Sequence, residues 1–209
     1  KGFGHAGFKN AVKVVVPDDT TDVEGDDMRY SVLTYAASEK ANAMGPSTID
    51  PRTGEILEAD IIWWHNVQSL ISEWIVVQTG AVDSRARSLE LPIELIGDAV
   101  RFVACHEAGH SLGLRHNMIA SAAYPTDSLR SATFTSRMGG TSASIMDYAR
   151  FNYVAQPGDE VKVMSPNIGP YDFMAIEWGY RWYPAGTNED KVLTDLLAKY
   201  QGKEYRYSE

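Results

Sequence analysis

Apolar and polar residues follow a helical period in two long stretches of the chain. Between Trp64 and Ile75 the large apolar residues stand three or four positions apart, which predicts an amphipathic helix that ends near Gly80. A second apolar pattern, with few charges, runs from Pro92 to Leu112. Because proline is favoured in the first turn of a helix, we predict that this helix starts at Pro92 and is buried on several sides.

Strand patterns are confined to the N-terminal third of the chain. β-branched residues predict short strands over 11–16 and 30–35, and the alternation over 56–63 predicts a half-buried strand that follows a turn at 50–54. An acidic loop over 18–27 lies between the first two strands. Calcium binding is conceivable there, but the spacing does not fit an EF-hand loop, and a solvated loop is favoured.

These elements predict an α/β fold built as a single domain of two lobes. We expect residues 1–116 to form an upper lobe that holds the sheet and the long helix. Residues 117–209 begin with a stretch rich in Ser, Thr, Ala, Gly and Pro, so we expect an irregular lower lobe. The 209 residues, 44% of them hydrophobic, suffice to bury a full core.

Charge, hydropathy and cysteine content narrow the possible partners. A net charge of −9 would repel the phosphates of nucleic acid, and no apolar run approaches the length needed to cross a bilayer. Cys105 is the only cysteine, so no internal disulfide is possible and a buried, inert thiol is expected. The chain opens at Lys1, which favours a piece of a longer protein, and we expect this piece to be monomeric.

The stretch HEAGHSLGLRH over 106–116 has the spacing of an open metal site. His106 and His110 are one helical turn apart and share a face. Gly113 can end the helix in a left-handed conformation and turn the chain back, so that His116 becomes a third ligand. Three imidazoles leave the fourth tetrahedral position of Zn²⁺ free for water, and Glu107 lies beside the ion as a general base and acid.

The alternative is that these histidines are surface residues or satisfied core residues. The short pattern His-x-x-x-His with an adjacent glutamate does occur by chance, but the extended pattern adds two residues at fixed offsets. The chain has five histidines, and three of them fall within eleven consecutive positions, which favours a metal site. His5 and His65 have no comparable context and are interpreted as ordinary residues.

Downstream of the histidines, the run SIMDY over 144–148 follows a small, turn-prone segment over 139–143. With these two motifs the chain resembles the metzincin clan of zinc endopeptidases, in which a methionine-containing turn, the Met-turn, lies beneath a three-histidine site. The resemblance implies that Met146 forms an apolar floor below the imidazoles. It also implies that Tyr148 is a displaceable zinc ligand that donates a hydrogen bond to the tetrahedral intermediate; the alternative is an ordinary buried aromatic residue.

The resemblance covers the chain from about Ala11 to Trp182, and it can be narrowed to one group within the clan. Asn117 follows the third histidine and differs from the residue that astacins, matrixins, adamalysins or serralysins have there. The runs over 41–47, 50–63 and 144–158 instead look like the catalytic domain of large, multidomain bacterial zinc metalloproteases. This implies a small, twisted, mostly parallel sheet with an antiparallel edge strand, a closing helix over 170–180, neighbouring domains, and a secreted, periplasmic or cell-surface location.

In metzincins, an extended substrate pairs with an edge strand above the cleft. By resemblance, we predict that the following residues form this substrate edge strand: Leu57, Glu58, Ala59, Asp60 and Ile61. The alternative is an interior strand with no exposed edge.

The leading hypothesis is a zinc endopeptidase that acts on a protein or peptide substrate. A zinc hydrolase with another substrate is the second possibility, because metal-activated water does not dictate what is cleaved. The third is a peptide-binding or glycan-binding module that keeps zinc for structure, and it predicts a fourth protein ligand that closes the site.

Overall fold

Short strands in the N-terminal third form two small sheets. The computed structural model describes residues 1–18, 20 and 23–209. Within them, the strands are β1 (Leu33–Ala36), β2 (Ala43–Met44), β3 (Ser47–Ile49), β4 (Ile56–Ala59) and β5 (Ile61–Trp64).

The larger sheet has the order β1-β5-β2 and the smaller sheet pairs β3 with β4. β1 runs parallel to β5, whereas the β2–β5 and β3–β4 pairs are antiparallel. The α/β class predicted from the sequence is confirmed, with a mixed sheet in which only the β1–β5 pair has the expected parallel direction.

The predicted single strand over 56–63 is divided between the two sheets at Asp60. The Asp60 carboxylate accepts a hydrogen bond from the backbone N–H of Val32 at 2.8 Å, and the N–H of Ile61 donates to the Val32 carbonyl at 2.9 Å. A side chain that replaces a backbone partner interrupts a ladder, which is why the alternation over 56–63 does not form one strand.

The strand predicted over 11–16 is wrong. These residues form no helix or strand, and Val14 and Val16 are 91% and 83% exposed. β-branched residues favour a strand only where a neighbour supplies backbone partners and covers one face, and no strand pairs with this described segment. In the acidic loop, Asp27 is bonded to Arg29 at 2.5 Å, while Asp19 and Asp22 lie outside the described residues.

Helices make up most of the remaining regular structure. Those in the described residues are α1 (Gly2–His5), α2 (Val67–Thr79), α3 (Ile93–Ser111), α4 (Thr126–Leu129), α5 (Ala132–Met138), α6 (Pro170–Tyr180) and α7 (Glu189–Leu197). Three short 3₁₀ turns accompany them, at Ser84–Arg87, Met118–Ala123 and Lys203–Tyr205.

The main core lies where α2 and α3 pack together beside the larger sheet. Ile71 and Ile75 on α2 and Ala99 on α3 are fully buried, and Trp63 of β5 is 8% exposed. Phe151, from the predicted lower lobe, is buried in the same cluster. The predicted end of α2 and the predicted start of α3 are confirmed: α2 ends before Gly80 and α3 begins after Pro92. The helical pattern from Trp64 starts too early, because Trp64 belongs to β5 and α2 begins at Val67. α3 therefore has one side buried in the core and contacts β2 and β5.

The C-terminal part is irregular, as predicted, with helices at its two ends. Residues 139–169, all of them described, contain no helix or strand. The predicted closing helix is α6, and the short α1 packs on it, with the Phe3 and Tyr180 rings 5.0 Å apart. In the described part of the chain, no helix has both the length and the apolar character that crossing a membrane requires.

Candidate metal centre

The structure brings the three predicted ligands together. His106, His110 and His116 each offer a nitrogen atom, and these atoms lie within 4.8 Å of one another. His106 and His110 face the same side of α3, and Gly113 has a φ of +83°, which ends the helix and returns the chain to His116. In the described residues no other group of three such side chains could hold a metal ion.

The distance between two of the ligand nitrogens fits a tetrahedral metal site. The Nε2 atoms of His110 and His116 are 3.1 Å apart. Zinc–nitrogen bonds of roughly 2.0–2.1 Å in a tetrahedron require about 3.3–3.4 Å between ligand nitrogens. The separation of this pair is within a few tenths of an ångström of that requirement, and the three ligand nitrogens all lie within 4.8 Å of one another.

Backbone carbonyls fix the orientation of two rings. The Nδ1–H of His106 donates to the Ile145 carbonyl at 2.8 Å, and the Nδ1–H of His110 donates to the Leu114 carbonyl at 2.9 Å. A proton on Nδ1 leaves the Nε2 lone pair free for a metal. Both rings are therefore held in the tautomer that a zinc ligand needs.

The surroundings of His106 and His116 favour the neutral form of both rings. The pKa of His106 is lowered to about 4, chiefly by burial, with smaller contributions from the neighbouring histidines and against the opposing effect of the bond to Ile145. Burial and His110 also lower the pKa of His116. Metal ligands must be unprotonated, so at neutral pH these imidazoles are in the form that binds a metal.

Glu107 lines the same cleft as the three histidines. Glu107 is buried, with 8% of its surface exposed. Burial raises the pKa of its carboxyl group, and His110 and the backbone N–H of Gly45 oppose this rise. A Cβ placed on Gly45 would lie 2.4 Å from the Glu107 carbonyl oxygen. Segment 41–46 therefore approaches α3 more closely than any residue with a side chain would allow at position 45.

The predicted Met-turn lies against α3. Met146 is fully buried, and a Cβ on Gly109 would meet its Sδ atom at 2.2 Å. The sulfur thus occupies the space that the missing side chain of Gly109 leaves on the helix between the first two ligands. The glycine in HEAGH has a packing role that the sequence analysis missed.

Asp172 of α6 connects the closing helix to the Met-turn. Its carboxylate accepts hydrogen bonds from the Ser144 hydroxyl at 2.6 Å, from the Ile145 N–H at 2.8 Å and from the Gly169 N–H at 2.7 Å. Burial raises the pKa of Asp172 to about 6 although these three donors oppose the rise, so the carboxylate is ionised at neutral pH. Ile145 in turn holds His106, which makes Asp172 an indirect support of the first ligand.

Asn117 joins the Met-turn to the C-terminal segment. This fully buried residue donates its backbone N–H to the Met146 carbonyl at 3.0 Å. Its side-chain amide donates to the Arg206 carbonyl at 2.8 Å and accepts from the Ser208 N–H at 3.1 Å. The residue after the third histidine therefore has a structural role here.

Tyr148 stands beside the ligands and is 46% exposed. Its ring centre lies 4.6 Å from that of His116 and 5.5 Å from that of His106. The alternative of an ordinary buried aromatic residue is wrong, because almost half of the side chain is open to the cleft.

The predicted substrate edge strand over 57–61 is not at the cleft. Leu57, Glu58 and Ala59 belong to β4, which pairs with β3, and the Ala59 N–H donates a hydrogen bond to the Ser31 hydroxyl at 3.2 Å. Asp60 is the break between the sheets, and Ile61 starts β5, the central strand. The edge strand that lines the cleft is β2, with the segment 41–46 around it.

The remaining histidines and the cysteine lie outside the centre, as predicted. His5 bonds the Tyr200 hydroxyl at 3.0 Å, and His65 bonds the hydroxyl of Tyr35. Cys105 is partly buried, and burial raises the pKa of its thiol, which keeps it protonated and unreactive.

Comparison with known proteins agrees with this geometry. A family model described as Met-zincin matches residues 88–209, more than half of the chain, and its range includes all three histidines and the Met-turn. No curated protein and no solved structure gives a significant match. On the family match and the histidine cluster together, the chain belongs to the Met-zincin family.

Proposed function

We propose that the protein is a zinc-dependent endopeptidase. One observation carries the proposal: three imidazoles and Glu107 face a single cleft of about 530 Å³ that is edged by strand β2. The cleft is lined by apolar side chains on one side and by the ligand cluster on the other. This combination of a metal site and an open strand edge is suited to an extended peptide.

Each residue has a defined task in this proposal. His106, His110 and His116 would hold the ion, which when bound supplies a Lewis acid that polarises a carbonyl and acidifies water. Glu107 accepts the proton of the attacking water as the new C–O bond forms. It then delivers that proton to the amide nitrogen as the C–N bond breaks, so that an amine leaves. Its burial favours the protonated form that the second step requires.

Tyr148 is proposed to stabilise the oxyanion. Its exposed side chain and its ring next to His116 support this role, because a phenol at that position can reach a substrate carbonyl that approaches the ligands. The displacement of Tyr148 from a metal, implied by the family resemblance, stays a prediction.

The substrate is proposed to bind as an added strand along β2. β2 pairs with β5 through its inner edge, with the Trp64 N–H bonded to the Asn42 carbonyl at 3.1 Å, so its outer edge is available to another chain. A peptide on that edge would pass over Glu107 and the histidines, since residues 41–46 line the same cleft. Export, a monomeric state and neighbouring domains also stay predictions.

The decisive experiment replaces Glu107 with Gln. We expect no measurable hydrolysis of a peptide library while one equivalent of zinc stays bound, because an amide cannot accept the proton but the ligands are intact. Glu94→Gln, in the exposed first turn of α3, is the matched control and should retain activity. A fully active Glu107→Gln protein would overturn the proposal, as would a bound zinc whose fourth ligand is a fixed protein side chain.

A further inference from the structure

Arg150 brings a positive charge into the cleft from just beyond the Met-turn. Its guanidinium carbon lies 4.0 Å from the ring centre of Trp74 and 4.7 Å from that of Tyr148. The guanidinium is therefore held between two aromatic rings, one on α2 and one beside the metal ligands. Among the described residues that line the cleft, Arg150 is the sole lysine or arginine.

The charge of Arg150 has no carboxylate partner within the described residues. Other arginines of the chain are neutralised locally: Arg52 and Arg85 each bond an aspartate two positions earlier, and Arg130 bonds Asp159. No ion pair in the described residues includes Arg150.

The backbone at Arg150 is held in an unfavourable conformation. Its φ is +58°, in the left-handed region that costs a residue with a Cβ on the order of 1 kcal/mol. Neither glycine nor asparagine stands at this position, although both adopt this conformation more easily. Such strain persists where the surroundings impose it, and here it accompanies a side chain stacked between Trp74 and Tyr148.

Contact with two rings limits where the guanidinium can lie, and no hydrogen bond within the described residues uses its N–H groups. A planar guanidinium between two rings can still form two parallel hydrogen bonds in its own plane, which is the geometry that a carboxylate matches. Arg150 is partly buried, which means that its charge is partly stripped of water. A partly dehydrated cation gains more from an anionic partner than a solvated one does.

We infer that Arg150 binds a carboxylate of the substrate, so that the enzyme prefers peptides with an acidic group close to the cleaved bond. The inference rests on the proposed function, because it assigns a specificity to the same cleft. The carboxylate has two possible sources, an aspartate or glutamate side chain or the free C-terminus of a peptide, and the experiment separates them.

The first measurement is the selectivity of the zinc-loaded protein on paired peptides. Each pair contains a glutamate, or its glutamine counterpart, within three residues of the cleaved bond, and a second series compares a free with an amidated C-terminus. We expect kcat/KM to be about 10- to 100-fold higher for the peptide with the carboxylate in one of the two series, the gain from one charge-assisted bidentate contact. The series in which the difference occurs identifies the source.

Variants then assign the preference to Arg150. Arg150→Gln should reduce the ratio to about 1, and Arg150→Lys should keep part of it, since an ammonium has the charge without the planar fork. Arg137→Gln is the matched control, because Arg137 is exposed and stacks on Phe134 outside the cleft, and it should keep the full ratio. Thermal unfolding of each variant verifies that it is folded.

A binding readout separates this inference from the proposed function. Calorimetry on zinc-loaded Glu107→Gln protein, with and without Arg150→Gln, should give a Kd for the carboxylate peptide that is about 10-fold lower only when Arg150 is present. Equal cleavage of both members of every pair by the wild-type protein would overturn the inference and leave the endopeptidase intact. Selective binding without cleavage of any peptide would instead overturn the endopeptidase while supporting the carboxylate site.

Discussion

The floor of the cleft and its rim are built in different ways. The floor comprises residues 106–116 and the Met-turn over 144–148, and the rim is the segment 41–46. In the floor, polar groups are buried and bonded: Ser144 is fully buried and His106 is 5% exposed. The rim contains a strand of two residues, β2, and Met44 in it is 44% exposed.

The difference follows from what each region has to do. Ligands must stay within a few tenths of an ångström of a fixed geometry, which requires partners that hold their rings. A strand edge that receives peptides offers only repeated backbone N–H and C=O groups. It must lie at the right place beside the metal ligands, but it needs no network of side-chain hydrogen bonds. Apart from Glu107, whose carboxylate is proposed to act in the reaction itself, we therefore expect substitutions in the floor to affect stability and metal affinity, and substitutions in the rim to affect turnover.

The largest expected effect is that of Asp172→Asn, because Asp172 holds the Met-turn of the floor through hydrogen bonds to Ser144 and Ile145. An asparagine offers one acceptor oxygen and an NH₂ group to a position where three donors converge, so at least one buried donor loses its partner. The free energy of unfolding should fall by about 2–4 kcal/mol. Zinc affinity should fall roughly 10- to 100-fold, because Ile145 no longer holds His106 in place.

Chemical denaturation and zinc titration measure the two effects of Asp172→Asn. The control is Asp190→Asn in the exposed first turn of α7, which should alter stability by less than about 0.5 kcal/mol and leave zinc affinity unchanged. Unchanged zinc affinity in Asp172→Asn would mean that the floor is not held through the Met-turn.

The next effect compares two glycines of the same helix. Gly109→Ala places a methyl group 2.2 Å from the Met146 sulfur, which is fully buried and has little room to move, so we expect destabilisation of about 1–3 kcal/mol. Gly97→Ala meets nothing within 4 Å and should stabilise α3 by about 0.5–1 kcal/mol. Denaturation of both variants tests the opposite signs, and stabilisation by both would contradict the packing of Met146 on Gly109.

The floor also differs from the rim in how far the sequence predicts it. The ligands are local: His106 and His110 follow a helical period and Gly113 turns the chain, so spacing alone brings His116 to them. The supports of these ligands are distant along the chain. Asp172 bonds Ser144 across 28 positions and Asn117 bonds Ser208 across 91, and no short pattern encodes such pairs.

The rim was misplaced because strand edges depend on pairing. Alternation over 56–63 correctly indicates extended chain, but which neighbours that chain acquires is decided in three dimensions. β5 gained a partner on each side and became central, while β2 is too short to give a periodic signal. The close approach of Gly45 to α3 likewise has no signature in a single sequence.

The junction between rim and floor is tested by Gly45→Ala. The added methyl group would lie 2.4 Å from the Glu107 carbonyl oxygen, a backbone atom that cannot move aside, so the rim must shift outward. We expect kcat/KM on a cleaved peptide to fall about 10-fold through misplacement of the substrate, with zinc content unchanged. Gly25→Ala, whose Cβ meets nothing within 4 Å, is the control. A loss of zinc in Gly45→Ala would contradict the separation of rim and floor, because it would mean that a shift of the rim also displaces the metal ligands.

The smallest effect is expected behind α6, outside both regions. Burial acts to raise the pKa of Glu177, but its bonds to Tyr200 at 2.5 Å and to Arg181, together with His5, outweigh burial and hold the pKa below its usual value. A lowered folded pKa stabilises the protein above the unfolded pKa of about 4.5, and this contribution is lost as the pH falls through the folded pKa.

Glu177→Gln should therefore cost about 1 kcal/mol at pH 7, with the difference from wild type shrinking as the pH falls below about 4.5. Glu73→Gln on the exposed face of α2 is the control and should show no such pH dependence. Denaturation curves from pH 7 to pH 3 measure the effect, and peptide cleavage at pH 7 should be unchanged. Reduced cleavage by folded Glu177→Gln protein would contradict the separation of the catalytic floor from the packing behind it, because Glu177 contacts neither the ligands nor the rim.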